Sequence, residues 1–281
     1  MTISRRSFLG IISGSTVFAT LGALPVRAGD LPAGAPGLAF PQGIASGDPR
    51  QHSVMLWTRA VPTEGTGQAP MLLQLSDSED FNQVLLEKEL ATDSASDYTL
   101  RAFIDGLEPG KHYYYRFLGG NGSVSGTGRT MTARPLDDNR PVNIAFASCQ
   151  SYEQGYYGSW ARMIEDDQAA TPEDQLDFIL HLGDFIYERS WLKRLDGTDQ
   201  SRYVPDFPDG ERNEQNRHAV SLADYRHLYK TYLSDPHLQA ARARWPFLCT
   251  WDDHEFSNDC FQSYSTYGDE PVFEPQRKLD A

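Results

Sequence analysis

The feature that most constrains this chain is a change of hydrophobic rhythm across Arg134-Pro135-Leu136-Asp137-Asp138-Asn139-Arg140-Pro141. Before it, residues 38–135 hold short runs rich in β-branched and aromatic side chains, such as Ser53-Val54-Met55-Leu56-Trp57-Thr58 and Tyr98-Thr99-Leu100-Arg101-Ala102-Phe103. Clusters of Gly, Pro and Asp separate them, which is the pattern of an all-β domain. Beyond it, apolar runs alternate with helical stretches, as in an α/β layer built on parallel strands. A length of 281 residues accommodates two such domains. The expected boundaries are 38–135 and 141–281.

The first region reads as a sandwich. Leu107-Glu108-Pro109-Gly110-Lys111-His112-Tyr113-Tyr114-Tyr115-Arg116 has the form of a turn into a tyrosine corner, the hallmark of immunoglobulin and fibronectin type III sandwiches. Asn121-Gly122 suits a tight hairpin, because both positions tolerate positive φ. No catalytic cluster stands out here, and His52 and His112 read as surface or strand residues. The domain is expected to be a spacer or a wall beside a site carried elsewhere.

In the second region, Val142 to Ala147 reads as a first buried strand, Trp160 to Ala170 as a helix and Phe178 to Leu182 as a second strand. Arg189 to Arg217 is polar and rich in Asp, Gly and Pro, which predicts a long surface excursion. Ser221-Leu222-Ala223-Asp224 reads as a capping box that opens a helix through Tyr232. Asp235-Pro236 interrupts it before a further helix to about Arg244. The third strand falls within Trp245 to Trp251.

Residues 1–28 stand apart from both domains. Ser4-Arg5-Arg6-Ser7-Phe8-Leu9-Gly10 is a twin-arginine sequence, followed by an apolar run from Ile11 to Leu24 and a small-residue cleavage site at Val26-Arg27-Ala28. The apolar run is short for a membrane span, so a removable signal is expected rather than a permanent anchor. The twin-arginine translocation machinery is then a partner, and the periplasm or the extracellular space the destination. These residues hold three arginines and no acid, so their removal takes the formal charge from −14 to −17. Such a surface repels phosphate backbones and argues against stable nucleic-acid binding. Small phosphate esters remain admissible where metal ions invert the local field. The three cysteines, Cys149, Cys249 and Cys260, cannot all pair. Cys249 and Cys260 could, although Cys249 lies in a run that reads as a buried strand.

Chemistry gathers at the ends of the three apolar strands. The first ends in Ser148-Cys149-Gln150, the second in Gly183-Asp184-Phe185-Ile186-Tyr187-Glu188 and the third in Asp252-Asp253-His254-Glu255. In open α/β sheets, sites collect at the carboxyl ends of strands. One such ending has bland readings: Cys149 as a small core residue, Asp184 as a helix cap, Tyr187 as packing, the acids after Trp251 as a solvated loop. Three in succession form a constellation. His181, within a strand, reads as structural; His218, His227 and His237 have no motif behind them. Ser148 lacks the glycine-flanked elbow of a serine nucleophile.

Phe146-Ala147-Ser148-Cys149-Gln150, Leu182 to Glu188 and Trp251-Asp252-Asp253-His254-Glu255-Phe256 resemble, in order, the motifs of PhoD-type alkaline phosphatases within the metallophosphoesterase superfamily. Asp224-Tyr225-Arg226 and Tyr232-Leu233-Ser234-Asp235-Pro236 resemble that family too. The resemblance implies a metallophosphoesterase α/β sandwich after the β-sandwich. It also implies a bimetal centre of iron(III) and calcium. Cys149 and Tyr187 are then iron ligands, Asp184 a bridging carboxylate, and Asp253 a hard donor to the second metal. His254 faces the phosphate as the catalytic histidine, and Asp252 either binds metal or orients His254. The implied reaction is hydrolysis of phosphate mono- or diesters by in-line attack of a metal-bound hydroxide, with no phosphoenzyme.

The family's late aspartate and histidine ligands lie downstream of the pattern found here. The resemblance therefore implies an incomplete metal site, an uncovered apolar sheet face, and a chain that by itself binds metal weakly and hydrolyses little. Two other classes compete. One is an inactive relative serving as an exported surface or binding protein, against which the intact Cys149, Asp184, Tyr187, Asp253 and His254 speak. The other is a redox protein using Cys149 and His254 on copper or haem, for which no further ligand pattern exists.

Overall fold

The structure is a computed structural model describing residues 31–194, 196–212, 215–267 and 270–281. The twin-arginine segment lies outside the described residues. The N-terminal strands are β1 (Ile44–Arg50), β2 (Ser53–Arg59), β3 (Ala69–Ser76), β4 (Val84–Thr92), β5 (Thr99–Ile104), β6 (His112–Leu118) and β7 (Gly128–Met131). Strands β3, β4, β6 and β7 form a four-stranded antiparallel sheet in the order β4-β3-β6-β7. It packs on β1, β2 and β5 through Val54, Leu56, Ala102 and Ile104 on one side and Met71, Leu73, Leu75, Tyr115 and Phe117 on the other. Alternation along each strand puts these apolar side chains on the inner faces, which is what closes a β-sandwich.

Both turn signals have their structural counterpart. The Tyr113 hydroxyl accepts the Glu108 N–H at 2.9 Å, five residues upstream, which makes the tyrosine corner. Asn121 and Gly122 take φ of 54° and 71°, letting Gly119 N–H reach Ser123 C=O at 2.8 Å.

The C-terminal region contributes β8 (Ile144–Ala147), α1 (Gly158–Ala169), β9 (Phe178–His181), β10 (Arg189–Trp191), β11 (Glu211–Arg212), β12 (Asn216–His218), α2 (Leu222–Tyr232), α3 (Pro236–Arg244), β13 (Pro246–Cys249) and, after a two-residue strand pair, α4 (Pro275–Asp280). Strands β8, β9 and β13 run parallel, in that order. Ser221 and Asp224 form the capping box of α2 reciprocally, and Asp235 caps α3 by accepting the His237 and Leu238 N–H groups.

Sequence periodicity did not reveal that β13 also pairs in parallel with β1, Pro246 opposite Ser46 and Phe247 opposite Gly47. One six-stranded sheet, β8-β9-β13-β1-β2-β5, therefore runs through both regions. Buried Asp167 of α1 reinforces the junction, holding Arg244 of α3 at 2.6 Å and Arg129 of β7 at 3.6 Å.

Three expectations need correction. Strand β8 is not buried on both faces: Ile144 and Phe146 are 44% and 73% exposed. Together with exposed Leu182 and Trp251 they leave apolar surface uncovered. Cys249 ends β13 but is exposed, and all three cysteines are free thiols. The excursion after Arg189 is not mere surface chain. Strands β10, β11 and β12 make a small antiparallel sheet, and the Arg202 guanidinium packs over Tyr152 and Tyr157 while pairing with buried Asp235 at 2.6 Å. A desolvated charge pair of that kind anchors a loop firmly, because breaking it leaves a buried charge unpaired.

Candidate metal centre

The carboxyl ends of β8, β9 and β13 converge. After β9, Gly183 and Asp184 take φ of 104° and 52°. This turns the chain sharply, and no helix follows, so the reading of Asp184 as a helix cap gives way to an irregular bend. After β8, Cys149 also has positive φ, at 57°. The two bends are stitched together: Cys149 N–H donates to Gly183 C=O at 3.3 Å, and Gln150 N–H to Asp184 C=O at 3.1 Å. Gln150 Nε2 donates to Phe185 C=O at 3.0 Å.

This folding brings Asp184, Asp253 and His254 together, one potential ligand atom of each lying within 4.8 Å of the others. Asp184 is buried, and its Oδ1 has no hydrogen-bond partner in the protein. Asp253 and His254 are half-buried. Asp253 Oδ2 accepts the N–H of Asp259. Tyr187 points its hydroxyl at Asp184 Oδ2, 3.4 Å away, and its ring lies against His254 with centroids 4.3 Å apart. Cys149 stands outside the three-residue cluster but beside the Tyr187 hydroxyl. Burial, with the neighbouring Asp184 and Cys149, raises the Tyr187 pKa above its ordinary value. A phenol in that setting stays neutral unless a cation offsets the anions around it.

The imidazole of His254 has a similar origin for its shift. Burial lowers its pKa, but the hydrogen bond and charge of Glu188, together with Asp184 and Asp253, more than compensate and leave it raised. Its Nδ1 lies 2.8 Å from Glu188 Oε2. Reading the sequence for ligands passed over Glu188 and Glu255, which touch the site through His254 and through backbone amides. Their one signal was position: each closes a motif that ends a strand.

Among the other histidines, His181 is fully buried, with its ring 4.8 Å from that of Phe185. Burial holds its pKa down at about 4. His52 donates its Nδ1–H to the Leu107 carbonyl at 2.9 Å, and His227 its Nε2–H to that of Pro205 at 3.1 Å. Among the described residues, the groups clustered with His254 are carboxylates rather than further His or Cys ligands.

Two hollows flank the centre. A cleft of about 290 Å³ touches His254 and is walled by Tyr187, Arg189, Trp191, Asn258 and Tyr267. A groove of about 1230 Å³ runs between the sheet and α2, past Phe185, Tyr229, Cys249 and Trp251. The larger groove does not include Asp184, Asp253 or His254, so the smaller cleft is the one adjoining the chemistry.

The donor set fits metal ions. An unpartnered, buried carboxylate oxygen costs free energy unless something cationic meets it, and Asp184 Oδ1 is such an atom. Hard carboxylate oxygens beside a phenol, a thiol and an imidazole would serve a hard and a more Lewis-acidic ion side by side.

The family model for the PhoD-like phosphatase matches residues 144–280, and that for the PhoD-like phosphatase N-terminal domain matches residues 28–134. The chain is 34% identical over 273 residues to alkaline phosphatase D of Bacillus subtilis (strain 168), covering 92% of this chain and 43% of that protein. It superposes on a solved structure described as the structure of PhoD with a TM-score of 0.72 and 30% identity, over 87% of this chain and 46% of that one. The chain thus spans less than half the length of the relatives it matches. Among the described residues, no helix is long and apolar enough to cross a membrane.

Proposed function

From the premise that the chain belongs to the PhoD-like phosphatase family, we propose that its active form is a metal-dependent phosphoesterase that hydrolyses small phosphate mono- or diesters outside the cytoplasm. The observation that carries the reading is the meeting of Asp184, Asp253 and His254 around an orphaned Asp184 Oδ1.

Asp184, Asp253, Tyr187 and Cys149 are the residues that would hold the metals, with iron(III) on the phenol and thiol side and calcium on the carboxylate side. When bound, the ions supply Lewis acidity toward the phosphoryl oxygens and lower the pKa of water near them. The chain's own groups explain why cations are needed. Asp184, Asp253 and Glu188 crowd one site, and a phosphate dianion would be repelled by them. Of the three clustered residues, His254 is the basic one. Held at Nδ1 by Glu188, it has Nε2 left to meet a phosphoryl oxygen or to give a proton to the departing alkoxide. The cleft past Arg189 and Trp191 offers the alcohol portion of the ester a place beside that histidine.

Residues 1–28 support export through the twin-arginine machinery, which carries folded proteins and so allows metal loading before transport. The reading is tested by measuring metal content and hydrolysis of p-nitrophenyl phosphate and bis(p-nitrophenyl) phosphate by the purified protein, before and after chelation. Hydrolysis that persists unchanged without metal would refute it. Arg5→Lys with Arg6→Lys should keep the protein in the cytoplasm if the export reading holds.

A further inference from the structure

We propose that Glu255 is the positioning residue of this metal centre: its carboxylate sets the spacing of Asp184 and Asp253 before any cation arrives. The proposal rests on the metal-centre reading above, but the arrangement that carries it belongs to the protein alone.

One carboxylate serves three backbone donors. Glu255 Oε1 accepts the Phe185 N–H at 2.5 Å, and Oε2 accepts the N–H groups of Asp184 at 3.1 Å and Asp252 at 2.6 Å. The first two donors belong to the bend after β9 and the third to the bend after β13, so a single side chain clamps the ends of two adjacent parallel strands. The bends also touch directly. A Cβ placed on Gly183 would lie 2.5 Å from both Cβ and N of Asp252. With φ of 104°, Gly183 satisfies the conformation and the close approach together.

The clamp explains a conformation that is otherwise unfavourable. Asp184 occupies the left-handed region at φ 52°, a conformation unfavourable for a non-glycine residue. The consecutive N–H groups of Asp184 and Phe185 both reach the Glu255 carboxylate, and charge-assisted bonds of this kind offset that cost. The Asp184 side chain is consequently free of backbone duties, and its Oδ1 stays unpartnered and available. Glu255 is not itself among the clustered ligand atoms, and both its oxygens are already committed to N–H donors. Its role is exerted through the backbone that carries Asp184 and, one residue beyond Asp252, Asp253.

The test compares Glu255→Gln and Glu255→Asp with the parent chain. Glutamine keeps the size but offers one acceptor oxygen and turns an NH2 toward a backbone N–H. Aspartate keeps both acceptors on a shorter arm. The readouts are amide hydrogen exchange at Asp184, Phe185 and Asp252 without metal, the affinity for terbium(III) as a luminescent oxygen-seeking cation, and the metal-free melting temperature. Folded Glu255→Gln should lose protection at those three amides at least about tenfold and bind terbium about 10–100-fold more weakly, the range for outer-sphere changes. Glu255→Asp should fall between Gln and the parent on both readouts. A folded Glu255→Gln with protection and affinity within twofold of the parent overturns the proposal. So does lost protection with unchanged affinity, or affinity loss that tracks only a lowered melting temperature. A parent chain that binds no terbium while its three amides are protected refutes the metal-centre reading, and the positioning role falls with it.

Discussion

His254 places its Nδ1 2.8 Å from the carboxylate of Glu188, a residue with no solvent exposure at all. The second Glu188 oxygen accepts the Asn258 N–H at 2.8 Å, so both oxygens are used within the protein. A fully buried carboxylate that spends one oxygen on an imidazole fixes the ring's orientation and its tautomer.

Glu188→Gln should therefore lower phosphoester turnover about 10–100-fold with little change in overall fold. The amide can accept from the imidazole only by turning its NH2 toward the Asn258 N–H, a donor facing a donor. Turnover on p-nitrophenyl phosphate with circular dichroism as control checks this. Unchanged turnover would show that the contact only packs the loop.

Asp184→Asn removes a negative charge in the cluster whose Oδ1 is buried without a hydrogen-bond partner in the protein. Metal content and hydrolysis should drop by more than the 10–100-fold typical of an outer-sphere change. Stability in the absence of metal should hold or rise, because an amide is cheaper to bury among neighbouring acids than a carboxylate. Elemental analysis and thermal melts decide it.

Tyr187→Phe addresses the iron proposal directly. The phenol's pKa is raised by burial, Asp184 and Cys149, so it ionises only against a strong cation. Ferric-loaded parent protein should show a broad purple-red tyrosinate charge-transfer band, and the phenylalanine variant should lose it. A band that survives Tyr187→Phe would assign the colour to another ligand.

Two buried groups should give the protein opposing pH sensitivities. His181 has its pKa held near 4 by burial, against an ordinary 6.5. Below pH 6.5 the unfolded histidine takes up a proton that the folded one refuses, so stability is lost as pH falls from 6.5 toward 4. Glu153 has its pKa raised to about 7 by burial, from 4.5. Above pH 4.5 its unfolded form releases a proton that the folded form retains, so stability is lost as pH rises from 4.5 toward 7. Each contribution is at most about 3 kcal/mol. Urea midpoints at pH 4.5 and 7.5 separate them. Relative to the parent, His181→Leu should gain more at pH 4.5, and Glu153→Gln more at pH 7.5.

Local chemistry in the sequence determined a good part of this protein. The capping box at Ser221 and Asp224, the Asn121-Gly122 turn and the tyrosine corner at Tyr113 all involve partners a few residues apart, so short-range pattern is enough to read them. The three apolar strands and the ligand types at their ends were legible because strand ends converge in any parallel sheet. What only the tertiary structure decided depends on partners distant in sequence. Cys249 occupies an apolar strand, yet its face of the sheet is left open and the thiol is exposed. The pairing of β13 with β1 joins residues about two hundred positions apart, and no periodicity encodes it. Glu188 and Glu255 read as ordinary loop acids until the fold sets one against His254 and the other against the amides of Asp184 and Phe185. A carboxylate's identity is written in the chain, but whether it is solvated or committed is settled by which backbone comes within 3 Å of it.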